Sequence, residues 1–163
     1  MANEYKQSTN LPSTGFPMRG NLAQNEPKRL AAWEEAGVYE LALKKNAGHK
    51  KFVLHDGPPY ANGPIHLGHA QNKISKDIIN RYWMMQGREV PYVPGWDCHG
   101  LPIEHKVEDM VGADKFRQLP TEKIRELCRK MAVEQVDTQR QGFKRLGVLG
   151  EWDNPYLTYT NDY

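Results

Sequence analysis

Phe52-Val53-Leu54-His55-Asp56-Gly57-Pro58-Pro59-Tyr60-Ala61-Asn62-Gly63-Pro64-Ile65-His66-Leu67-Gly68-His69 runs from three apolar residues, through a proline-stiffened loop, to a pair of histidines. Phe52 to Leu54 is too short for a helix and reads as a buried strand, which Gly57-Pro58-Pro59 ends. A helix then begins near His66 or Leu67, with Ile74, Ile78, Tyr82 and Met85 as its apolar stripe and Gly87 as its stop. Val90 to Val93, interrupted by Pro91, predicts a second strand, and Pro94-Gly95 turns the chain onward. Strand, loop, helix, strand is the order of a crossover unit in a parallel sheet, so the fold class is α/β. Two strands do not make a buried parallel sheet alone, because such sheets need neighbours and covered faces. The core therefore reads as unfinished within these 163 residues.

Upstream, Met1 to Asn25 reads as an extended polar arm. Asn25-Glu26-Pro27 resembles a helix start, with a capping Asn and an early Pro. Leu30, Trp33, Gly37 and Leu41 recur at helical spacing, which predicts a helix from about Pro27 to Lys45, weakened at Gly37. This divides the chain into an arm and helix over 1–48 and a sheet-forming unit over 49–163. Downstream, a short helix is expected over Leu101 to Val111, and a longer one from Thr121 to about Gly142. Ile124, Leu127, Cys128 and Met131 lie on one face of the longer helix. The tail from Phe143 to Tyr163 reads as irregular and aromatic.

Composition excludes several classes. Twenty-two basic residues against 20 acidic ones leave a net charge of +2, too little to argue for nucleic-acid binding by itself. Lys44, Lys45, Lys50 and Lys51 read as a solvated helix end and linker. Two cysteines, Cys98 and Cys128, form no disulfide framework. No stretch approaches the roughly 20 apolar residues that cross a bilayer, and the first 25 residues hold no signal-like apolar run. The expected compartment is the cytosol, with no membrane partner.

His66 and His69 stand where the loop enters a helix. The first turn of a helix has unpaired N–H groups and partial positive charge, and it attracts phosphate. Two histidines three apart share one side of that turn, where their N–H groups suit the charge that develops in phosphoryl or nucleotidyl transfer. Gly68, lacking a side chain, lets a flat ring approach the backbone. Two other readings stand beside this one. The pair could be ordinary surface histidines at a helix start, or a zinc fragment, although no Glu follows the first His and the spacing is three rather than four. In Trp96-Asp97-Cys98-His99-Gly100, Asp97 either binds a ligand or caps the helix near Leu101. Trp96 and Cys128 read as core, and Cys98-His99 as a weak metal signal. His55 and Asp56 flank the loop without an assigned role.

Pro59 to His69 resembles the first signature of class I aminoacyl-tRNA synthetases, whose core is a His-x-Gly-His tetrapeptide. The resemblance implies the first half of a Rossmann-type parallel-sheet catalytic domain, preceded by the arm and helix. It implies that His66 and His69 are catalytic, binding the ATP phosphates and stabilising the adenylation transition state. Gly68 would lie under the adenine, and Asn62 and Gly63 would belong to the loop closing over the nucleotide. Pro94-Gly95-Trp96-Asp97-Cys98-His99-Gly100-Leu101-Pro102-Ile103-Glu104 is similar to the isoleucyl branch, whereas the leucyl branch tends to have Ala-Phe in place of Cys98-His99. That similarity implies that Asp97 holds the substrate ammonium and that backbone at Gly57 and Pro58 lines the amino-acid pocket. Asn10 to Gly20 and Leu146 to Gly150 also look isoleucyl, so the resemblance covers about residues 8 to 160.

The resemblance further implies ATP with Mg2+ as substrate, isoleucine as the amino acid, and tRNA(Ile) as a partner through a full-length parent. The family's Lys-Met-Ser-Lys-Ser signature is absent from this sequence, as are its editing and anticodon-binding regions. Zinc is expected only in that missing part, and none in this chain. The fragment alone is expected to be inactive. The competing reading is a stand-alone nucleotide-binding or interaction module without catalysis.

Overall fold

A computed structural model describes residues 14–161. The arm expected over Met1 to Asn25 lies partly outside the described residues, and its described part already turns into helix. Helix α1 spans Leu22–Glu35 and starts at Asn21, in the left-handed region with φ 44°. Asn tolerates that conformation better than other non-glycine residues. The predicted start at Pro27 is thus corrected: Pro27 lies inside α1, and Asn25 caps nothing but donates its side-chain amide to the Gly20 carbonyl at 2.7 Å. Gly37, with φ 59°, is a full break rather than a weak point, and α2 follows over Val38–Lys45. Lys44, Lys45, Lys50 and Lys51 are exposed, as expected.

Helix α3 spans Leu67–Met85, α4 Leu101–Val111, α5 Ala113–Gln118 and α6 Thr121–Arg145. Strand β1 is Gly95–Trp96 and β2 is Tyr156–Leu157. They pair in parallel, Gly95 opposite Tyr156 and Trp96 opposite Leu157. On its other side the β1 segment continues into a parallel bridge between Asp97 and Tyr60. Three segments therefore lie side by side, with the β1 segment in the middle.

This sheet is α/β in kind, but its strands fall elsewhere than predicted. Phe52 to Leu54 is not a buried strand. It keeps one bond, from the Phe52 N–H to the Glu89 carbonyl at 2.9 Å, and Val53 is 66% exposed. Val90 to Val93 is not a strand either, although Val90 and Tyr92 are buried. Pro91 and Pro94 have no N–H to give a ladder. The Tyr92 N–H goes instead to the Tyr39 hydroxyl at 2.9 Å. Pairing resumes only at Gly95, where a Cβ would stand 2.5 Å from the Tyr156 ring. The tail predicted as irregular supplies β2, because Gly95 leaves room for it.

The core gathers Tyr92, Trp96, Ile103, Val107, Met131 and Phe143 with Val148 and Trp152. Trp96, as expected, is fully buried, and Leu127 and Cys128 pack against the core's edge. Helix α6 runs past its predicted end. Gly142 reads as a stop signal but sits within the helix, where a Cβ would come within 2.8 Å of Ile65.

Helix α3 reverses its predicted faces. Ile74, Ile78, Tyr82 and Met85 are exposed, while Lys73, Asp77 and Asn80 are buried. On the inward face Lys73 and Asp77 are hydrogen-bonded, whereas the Asn80 amide has no partner among the described residues. Asp77 accepts from the Leu149 N–H at 3.0 Å and from Arg81 at 2.6 Å, and Arg81 reaches the Gly147 carbonyl at 2.6 Å.

Gly95→Ala is expected to destabilise the chain by about 1–3 kcal/mol, since the new methyl must displace Tyr156 or the β1–β2 pairing. Urea unfolding with a lowered midpoint and an unchanged slope would agree, and a wild-type midpoint would refute the packing argument.

Candidate active site

His66 is the N-cap of α3, with extended backbone (φ −126°, ψ 177°). Its Nδ1 accepts from the Gly68 N–H at 3.1 Å and the His69 N–H at 3.4 Å. In return His69 Nδ1 accepts from the His66 N–H at 3.3 Å. This is a capping box built from two histidines. It also fixes the tautomer. An imidazole nitrogen that accepts carries no proton, so each neutral ring holds its proton on Nε2. The two rings stack with centroids 3.9 Å apart, and His69 meets Phe143 edge-on at 6.2 Å. Burial, then the charges of His66 and Lys73, push the His69 pKa below 6.5, which favours the neutral form. The arrangement can present two Nε2–H donors beside the positive end of a helix. That is chemistry suited to an anion. Gly68 has a local reason too: a Cβ there would stand 3.0 Å from His66 Cε1 and 3.1 Å from Nδ1, crowding the ring that caps the helix.

The loop leading to His66 is held at three places. At its start, the buried Asp56 carboxylate pairs with Lys73 and Lys76 of α3 and accepts from the Tyr92 hydroxyl at 2.8 Å. Burial pushes the Asp56 carboxyl up, but the two lysines and the hydroxyl outweigh it and hold the group below its usual range. Burial pulls Lys73 down, and its single carboxylate does not restore it. The neighbouring Lys76 charge adds to that lowering, whereas Asp56 has two cations to offset its burial. In the middle, the Asp97 N–H donates to the Pro59 carbonyl at 2.8 Å and the Ala61 N–H to the Asp97 carbonyl at 2.9 Å. Toward its end, Gln139 Nε2 donates to the carbonyls of Tyr60 at 2.9 Å and Gly63 at 2.7 Å.

Asp97 is thereby joined to the loop by its backbone. Its side chain accepts at Oδ1 from the His99 N–H at 3.3 Å and the Thr158 hydroxyl at 3.4 Å. It does not cap α4, whose N-cap is Gly100 at φ 87°. The capping alternative is therefore set aside, because the turn at 97–99 uses that oxygen first. No hydrogen bond to Oδ2 is present among the described residues. Gly57, Pro58, Asn62 and Gly63 lie on the same held loop, with Gly57 exposed and the others half-buried. His99 is exposed and Cys98 buried, and burial pushes the Cys98 thiol up to about 11. Among the described residues, no group of three or more His, Cys, Asp or Glu could hold a metal ion. Likewise, no helix is long and apolar enough to cross a membrane.

Two clefts flank this centre. One of about 750 Å³ lies between α1 and the 147–154 segment, with Trp33 and Trp152 in its wall. The other, about 620 Å³, lies beside His99, Glu104 and Arg129. Neither is lined by His66 or His69. Sequence reasoning left Gln139, Lys73 and Tyr92 unremarked and Asp56 without a role. The available signal was a polar residue on an otherwise apolar helical stripe: Ala132, Val136, Gln139 and Phe143 are all buried on α6.

The chain matches the family of tRNA synthetases class I (I, L, M and V) over residues 28–163, and it belongs to that family. Within it, the chain is 57% identical over 155 residues to the isoleucine–tRNA ligase of Aliarcobacter butzleri (strain RM4018), covering 95% of this chain and 17% of the relative. It is 60% identical over 155 residues to that of Azoarcus sp. (strain BH72), covering 95% and 16%. The isoleucine–tRNA ligase of Limosilactobacillus fermentum (strain NBRC 3956 / LMG 18251) is 59% identical over 158 residues, covering 97% and 17%. The chain spans about a sixth of the length of these relatives. Its fold matches LeuRS of Agrobacterium radiobacter K84, solved as a ternary complex with tRNA and LeuAMS, with a TM-score of 0.69 at 22% identity. That match covers 89% of this chain and 16% of the other.

In an NMR titration the His69 ring is expected to titrate below 6.5. Because the unfolded ring takes its proton first, the stability His69 contributes is full above the unfolded value. It is lost as pH falls through the lower folded value. Protonated Nδ1 also stops accepting from the His66 N–H, so amide protection at the start of α3 should fall in acid. A ring titrating above 6.5, or protection indifferent to acid, would sink the capping-box account.

Proposed function

We propose that the chain is the ATP- and amino-acid-binding part of an isoleucine–tRNA ligase. The parent joins the isoleucine carboxylate to the α-phosphate of ATP, expelling pyrophosphate, and then passes the isoleucyl group to tRNA(Ile). The observation that carries this reading is the reciprocal His66–His69 cap, which commits both rings to the Nε2–H tautomer at a helix N-terminus. Preorganised donors of this kind stabilise charge as it develops without reorganising at the moment of reaction. His66 and His69 serve the phosphates of ATP, which enters with Mg2+ as substrate. Gly68 lies under the adenine, and Asn62 and Gly63 belong to the loop over the nucleotide. Asp97 Oδ2 takes the isoleucine ammonium, a charge-assisted contact. Gly57 and Pro58 supply backbone to the amino-acid pocket.

Residues 1–48 form an entry unit and 49–163 the first part of a Rossmann-type catalytic domain, completed by the remainder of the parent. The exposed apolar face of α3 supports a domain that the rest of the parent completes, as does the length of the relatives. The Lys-rich second signature and any zinc belong to that remainder. A cytoplasmic location follows from the role in protein synthesis.

Isoleucine-dependent exchange of pyrophosphate into ATP, measured on the full-length parent, tests the reading. His66→Ala and His69→Ala should each lower kcat about 10²–10³-fold, the usual cost of losing one preorganised donor. Exchange that is undiminished in both variants, or strongest with another amino acid, would refute it. The isolated chain should not charge tRNA(Ile), and robust charging by it would show that the missing part is dispensable.

A further inference from the structure

We propose that Gln139 is a positioning residue that sets the nucleotide loop against the amino-acid motif during adenylation; this rests on the function proposed above. Gln139 is fully buried, 0% exposed, in the middle of the apolar stripe of α6. Its side chain is spread across both halves of the site. Nε2 donates to the carbonyls of Tyr60 at 2.9 Å and Gly63 at 2.7 Å, on the loop that ends in His66. Oε1 accepts from the Trp96 indole N–H at 3.0 Å, one residue before Asp97.

The orientation of the amide is settled by its partners. A flipped amide would set its oxygen against two carbonyls and its NH₂ against an indole donor, leaving all three partner groups without complement. As placed, both donors and one acceptor lone pair are used. No other standard side chain of this length offers two donors on one terminal atom and an acceptor on its neighbour. Glutamate keeps the shape and the Trp96 bond but turns two attractive contacts into repulsive ones. Methionine keeps the length but leaves the two loop carbonyls without their donor and the buried Trp96 N–H without its acceptor.

Adenylation needs the isoleucine carboxylate and the α-phosphate at attack distance. One substrate is addressed by the loop and the other by Asp97. Each half can bind its own substrate without Gln139, but their mutual register depends on the shared amide. Loss of that register should appear in kcat, where a misplacement of about 1 Å costs about 10²-fold. The Michaelis constants for ATP and isoleucine should move far less.

The test uses the full-length synthetase and isoleucine-dependent pyrophosphate exchange. Gln139→Met and Gln139→Glu are expected to lose about 10²-fold in kcat with nearly unchanged KM values. Trp96→Phe, which removes the indole N–H together with part of a fully buried ring but leaves both carbonyl contacts of Gln139, should lose less in the same parameter. Met131→Ala, a core truncation two turns away on the same helix, is the stability control and should lower Tm while keeping kcat. A cycle with His66→Ala separates the roles further. If Gln139 acts through the loop, the double variant loses less than the product of the singles, whereas a merely structural residue gives the full product. Wild-type exchange with Gln139→Glu and Trp96→Phe both at wild-type kcat would overturn the inference. So would a kcat loss in Met131→Ala equal to theirs, or a full product in the cycle. A wild type that fails to exchange with isoleucine overturns the functional reading itself, which is a different result.

Discussion

A loop with Pro58, Pro59 and Pro64 cannot build a ladder of its own, because each proline lacks a donor and fixes a dihedral. That loop is held from outside. Three unlike interactions hold it: a buried carboxylate with two lysines at Asp56, a strand-like backbone exchange with Asp97, and the Gln139 amide. Each uses a different helix or segment as its anchor, namely α3, β1 and α6. The loop is therefore not an appendage of the fold but the place where its elements meet.

The polar inner face of α3 follows from the same arrangement. A helix normally turns its apolar stripe to the core. Here Lys73 and Asp77 face inward because the loop start and the 147–149 segment present charge and unpaired N–H groups that need partners. An unpaired buried Asp56 would be costly, and two lysines remove that cost while fixing where the loop begins. The apolar stripe is consequently turned outward, where Ile78 is 62% and Met85 77% exposed. A free-standing domain rarely leaves such a face uncovered, and the surface is consistent with relatives about six times longer than this chain.

This inversion also marks what was legible in the sequence. Helix periods were readable: α3, α4 and most of α6 fall where spacing places them, because a 3.6-residue period is local information. Which face turns inward was not readable, since that depends on Asp56 arriving from elsewhere. The strands were misplaced for a related reason. Val90 to Val93 has the composition of a strand, yet pairing is decided by donors, and Pro91 and Pro94 move it to Gly95. Gly37 and Gly142 look alike as interruptions, but one breaks a helix at positive φ and the other admits Ile65 against a continuous helix. Only the neighbour tells them apart. Site residues divide in the same way. His66 and His69 stood out through spacing, while Gln139 left only the trace of one polar residue on an apolar helical stripe, since its partners Trp96, Tyr60 and Gly63 lie in distant segments.

The spacing of the two histidines has a mechanical cause apart from any ligand. Position N3 of a helix is the one whose side chain reaches back to the N-cap N–H, while the N-cap side chain reaches forward to the N3 N–H. Ser and Glu usually fill these places. With histidine in both, the same reciprocal bonds use up Nδ1 on each ring, so that capping the helix and setting the tautomer become one event. Glycine between them leaves space for the first ring, and the remaining position is unconstrained by the cap, which is why Leu67 sits there largely in solvent. A serine–glutamate cap would stabilise the helix as well but would present no neutral N–H donors outward. The pattern is thus economical: four residues terminate a helix, orient two rings and hold their protons on the free side, before any substrate contributes binding energy.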